Sequence, residues 1–87
     1  MRATEFCEFV WTAKRGRVVM ARIALNSLGY AKHYPVDISE FRVMPPEARA
    51  MVNAFLDWNS EHPGFYLGVP HRWRMQGLVE GRFKDEP

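Results

Sequence analysis

From Pro46 to about Asn59, the apolar residues Ala48, Met51, Val52, Phe55, Leu56 and Trp58 recur at helical spacing, with Arg49, Asn53 and Asp57 opposite them. The spacing predicts a helix with one wide apolar face and a solvated back. Its ends agree with that. Pro46 suits the first helical position, and Glu47 sits where the positive helix end favours a carboxylate. The run Ser60-Glu61-His62-Pro63-Gly64 stops the helix, because the residue before Pro63 is pushed out of helical space.

Two arrangements fit Thr4 to Leu28. In the first the segment is helical, with Thr4 as cap, Glu5 and Glu8 in the first turns, and Gly29 in the left-handed position that ends it while Tyr30 packs back on Leu25. Glu8, Thr12, Arg15, Arg22 and Asn26 then share one polar stripe, and Phe6, Phe9, Val10, Ala13, Ala21, Ala24, Leu25 and Leu28 lie largely away from it. In the second, residues 5–13 and 17–25 are the strands of a hairpin turned at Lys14-Arg15-Gly16, which Val18 and Val19 favour. Ala, Met, Leu and Arg beyond residue 19 favour helix. A break at Gly16 reconciles the two.

Elsewhere the alternation is closer to that of strands. Val36 and Ile38, then Phe41 and Val43, alternate with polar neighbours between Tyr30 and Met44. A single helical turn capped by Asp37, with Glu40 three residues on, is the other choice there. From Phe65 to Phe83 the chain is expected to form two or three short strands, with Gly77 and Gly81 at a bulge or turn. In that arrangement Arg72, Arg74 and Gln76 point to solvent, and Trp73 and Met75 point to the core. The expected fold class is therefore α+β: a small single domain spanning 1–87, with one or two helices packed on a short antiparallel sheet.

Composition narrows the function classes. Eighty-seven residues with 47% hydrophobic content suit one globular core. No apolar run approaches the roughly 20 residues that span a bilayer, and acids interrupt the N-terminal stretch where a signal peptide would be apolar. No membrane association is expected, and the chain is expected to be cytoplasmic. A lone Cys7 fits a reducing compartment and reads as a small buried hydrophobe. The net charge is +2, too mild to demand a polyanion, yet nine of the twelve basic side chains are Arg, the residue suited to planar recognition of carboxylates, phosphates and rings.

Chemistry finds little support. One Cys and the histidines 33, 62 and 71 have no metal-ligand spacing, so no metal or other cofactor is expected. No nucleophile stands beside a base, and Gly77 and Gly81 lack the lysine and spacing of a phosphate loop. An enzyme is not expected. Binding is. Lys14, Arg15 and Arg17 form one basic knot, and His71, Arg72 and Arg74 another, while Tyr34, Tyr66, Trp73 and Phe83 offer stacking faces. Tyr and Arg are also frequent anchors of protein interfaces. The candidate partner-binding residues are accordingly Arg72, Arg74, His71, Arg15, Arg17, Lys14, Tyr34 and Tyr66. The expected role is a small non-enzymatic protein that engages, and by occlusion inhibits, a larger protein, as inhibitors carried by mobile elements of similar size do. A nucleic-acid-binding module is the alternative, and a second copy of the chain is a further partner open to it.

Overall fold

A computed structural model describes residues 1–83. Its first helix, α1 (Ala3–Thr12), follows from the i, i+3, i+4, i+7 spacing of Ala3, Phe6, Cys7 and Val10, all buried. The cap is Arg2, not Thr4: the Arg2 backbone N–H donates to Glu5 Oε1 at 3.0 Å, half of a capping box. The far end is closed by the next helix. Arg17 Nε and Nη2 donate to the carbonyls of Val10 and Trp11 at 3.4 and 3.0 Å, which satisfies acceptors that a helix C-terminus leaves open.

Gly16 separates α1 from α2 (Arg17–Leu25) with φ +75, a conformation that Cβ-bearing residues adopt rarely. The break expected at this glycine is therefore real, and the hairpin is not: helix lies on both sides of it. Met20, Ala21, Ile23, Ala24 and Leu25 are all buried, so α2 is apolar around much of its circumference and takes the central position. It packs chiefly against α5 and also against α1 and α4. A wider turn, Asn26–Tyr30, follows, and Gly29 at φ +110 ends the run in the positive-φ region expected of it.

The segment after Tyr30 forms no strand. Asp37 caps the short α3 (Ile38–Arg42), accepting from the Ser39 backbone N–H at 2.9 Å and from the Ser39 hydroxyl at 2.8 Å. Those two bonds, the hydroxyl first, hold the Asp37 carboxyl below its ordinary pKa. Arg22 ties α3 to α2 through Glu40 at 2.6 Å.

The predicted helix appears as α4 (Pro46–Ser60). Ala48, Val52 and Phe55 are buried, and the Phe55 ring stacks on Phe6 with centroids 4.6 Å apart. Asn53 and Asp57 are exposed as expected. Arg49 is instead half-buried, Leu56 is exposed, and Trp58 is half-buried against His62 and Phe65. The apolar face is therefore narrower than the sequence suggests.

The largest correction concerns residues 65–83. No sheet forms among the described residues, so the α+β expectation fails and the architecture is all-helical. The stretch from Val69 is a helix, α5 (Val69–Glu80), entered through Gly68 and Pro70 and ended by Gly81 at φ +81. Met75, Gly77 and Leu78 are its buried positions. Gly77 is no bulge: it lies inside the helix, and a Cβ there would overlap the ring of Phe83. Trp73, expected in the core, is 52% exposed.

Candidate binding surface

Turning residues 71–76 from strand into helix redistributes the basic side chains. Residues two apart share a face in a strand but lie about 200° apart around a helix. Arg72 and Arg74 therefore do not form the single wet face expected of them. Arg72 reaches the tyrosines: its Nη1 donates to Tyr30 Oη at 3.1 Å and to Tyr66 Oη at 2.7 Å, with its guanidinium carbon 5.3 Å from the Tyr66 ring centroid. Arg74 turns to α1, where Nη1 lies 3.5 Å from Glu8 Oε2 and the guanidinium lies 4.9 Å from the Trp11 ring centroid. His71 Nε2 approaches the same carboxylate at 3.3 Å.

The first basic knot also divides. Arg17 is committed to the end of α1 and places its guanidinium 5.5 Å from the Trp11 centroid. Trp11 is thus the point where Arg17 and Arg74, one from each knot, converge. Lys14 and Arg15 are exposed and line a different depression of about 230 Å³ with Phe9, Ala13, Pro45 and Glu47. Tyr34 is held elsewhere, donating to Glu80 Oε2 at 3.1 Å. Partial desolvation, and then that bond, push its phenol pKa upward.

A continuous aromatic track runs from Trp11 through Phe83 to Trp73. Phe83 meets Trp11 edge-on at 5.1 Å and Trp73 edge-on at 5.0 Å. Arg82 covers the Trp73 end, 5.3 Å from the ring centroid, donates from Nη2 to the Trp73 carbonyl at 3.1 Å, and pairs with Glu80. The glycine at 77 makes the track possible, because it leaves the notch that the Phe83 ring fills. Trp11, Arg82 and Glu8 are the members that sequence reasoning missed. Nothing in the local pattern sets Trp11 apart from the apolar residues of the first segment, and Arg82 follows a glycine, outside both basic knots. A helical reading of 69–80, bounded by Pro70 and Gly81, would have brought Trp73 outward and exposed the signal.

Other chemistry is sparse. Cys7 is buried, and burial, then the neighbouring charge of Glu8, push its thiol up to about 12. Among the described residues no three His, Cys, Asp or Glu side chains converge as metal ligands do, and no helix is long and apolar enough to cross a membrane. Compared with protein-family models, curated proteins and solved structures, the chain matches none.

Proposed function

We propose that this chain is a non-enzymatic binding protein that engages a larger protein through the Trp11–Phe83–Trp73 track and its flanking arginines, blocking whatever surface it covers. The observation that carries this is Trp73, 52% exposed on a helix and held in place by Phe83 and Arg82. Trp and Arg are the commonest energetic anchors of protein interfaces, and anchors held rigid before contact lose little entropy on binding. The charge pattern favours protein over nucleic acid. Arg74 is offset by Glu8 and Arg82 by Glu80, so these arginines stack and orient more than they supply net charge to a phosphate backbone.

The deciding experiment is affinity capture from the native host, with and without nuclease, using wild type and Trp73→Ala. A partner that survives nuclease and binds Trp73→Ala at least about thirtyfold more weakly, the loss expected of a hot-spot anchor, supports the proposal. A partner that binds both proteins equally overturns it. The exposed Trp73 with Arg82 stacked beside it also resembles a base-stacking platform, which keeps nucleic acid as the second reading. That alternative requires oligonucleotide binding that weakens steeply with salt and a capture that nuclease abolishes.

A further inference from the structure

Arg72 is held differently from Arg22, Arg74 and Arg82. Arg22, Arg74 and Arg82 each have a carboxylate partner, Glu40, Glu8 and Glu80 respectively. Arg72 is fixed as firmly, by two phenol hydroxyls and by the Tyr66 ring, yet all of these groups are neutral. Both hydroxyls use the same nitrogen, Nη1. That choice leaves the Nε–H and Nη2–H edge without a partner among the described residues, on a side chain that is half-buried rather than enclosed. The free edge is the one that presents two parallel N–H groups to a planar oxyanion.

We propose that Arg72 is a docking point for a carboxylate, taking an Asp or Glu side chain of the protein partner in a bidentate pair on its Nε/Nη2 edge. The inference rests on the binding role proposed above and names the chemistry of the partner. Tyr30 and Tyr66 act as positioning residues. They fix the guanidinium without neutralising it, so the ordering cost of a long side chain is met before the partner arrives. Their hydroxyls, Tyr66 first, also favour the charged form of Arg72. Tyr66 is 65% exposed, and Val69, three residues before Arg72 on the first turn of α5, is exposed as well. One fixed planar cation between neutral rings matches a single planar monoanion. A nucleic-acid backbone would call for several uncompensated cations along a line.

The test is a titration at constant ionic strength with poly-L-glutamate and, separately, single-stranded oligothymidylate, following backbone amide resonances of α5 in every variant and the Arg72 Nε–Hε resonance in those that keep the arginine. Wild type should bind polyglutamate saturably. Arg72→Lys, which keeps the charge and loses the fork, should bind about tenfold more weakly, while Arg42→Lys, at an exposed position on α3 away from the track, should bind as wild type does. Tyr66→Phe keeps the ring and drops one hydroxyl, and should weaken binding by a smaller factor. It carries the test if Arg72→Lys does not fold. Equal binding by Arg72→Lys and wild type overturns the proposal, as does an equal loss in Arg42→Lys, which would mark diffuse attraction, or tighter binding to oligothymidylate. Applied to the captured partner, retention by Arg72→Lys with loss by Trp73→Ala overturns the carboxylate site and leaves the binding role standing. Retention by both variants overturns the two together.

Discussion

Cys7 shows how one side chain reports on its surroundings. At 2% exposure it packs as a small hydrophobe among the core residues of α1, and its thiol is pushed from 9.0 up to about 12 by burial. The unfolded chain ionises this thiol at an ordinary pKa while the folded chain resists. Its contribution to stability is therefore complete below about pH 9 and declines as pH rises toward about 12. At pH 8 a disulfide reagent should leave Cys7 unmodified in native protein and label it promptly in denaturant. Rapid labelling under native conditions would mean that the first helix opens readily. Gly77 is a second informative position. Gly77→Ala gains about 1 kcal/mol of helix propensity, but the new methyl occupies the space of the Phe83 ring. The expected result is loss of the Phe83 contacts to Trp11 and Trp73, read as missing ring-to-ring cross-peaks in the NMR spectrum. Persistence of both contacts would show that the notch is not what seats the ring.

Among the elements, α4 was legible in the sequence and α5 was not, and the reason is physical. Helix α4 repeats buried Ala48, Val52 and Phe55 at intervals of four and three, which only a helix places on one side. In α5 the buried set is Met75, Gly77 and Leu78, and glycine contributes no apolar signal. The largest apolar residue, Trp73, faces outward, so Arg-Trp-Arg-Met imitates the alternation of a strand. The binding residues were legible by type and illegible by arrangement. Arg72, Arg74, His71 and Tyr66 were marked, but the neighbours that define their roles, Glu8, Trp11 and Tyr30, lie about forty to seventy residues away in sequence, beyond any local pattern. The turns were clearer, because positive φ selects glycine. Gly16→Val and Gly29→Val should each cost about 1–3 kcal/mol of backbone strain. Gly16→Val should cost more, since a Cβ there already meets Met44 Sδ at 3.4 Å, while nothing lies within 4 Å of one at Gly29. Equilibrium urea unfolding of the two variants checks that order.

For the chain as a single object, the core is joined through α2, which touches α1, α4 and α5. A circular-dichroism spectrum should show helical minima without a separate strand component. Phe55→Ala, which removes the ring stacked on Phe6, should cost about 3–5 kcal/mol, a large share of the total stability of a domain this size. A variant that unfolds with nearly unchanged free energy would place the centre of the core elsewhere. The central position of α2 also has a consequence for the order of assembly. The helix that covers it most extensively, α5, lies more than forty residues further along the chain. On the ribosome, where residues emerge at about 5–20 per second, the apolar surface of α2 waits seconds for its cover. Assembly therefore passes through a stage in which α1 and α2 are made but the seam between α2 and α5 is open. That interval is the one in which the nascent chain is most exposed to self-association and to chaperones.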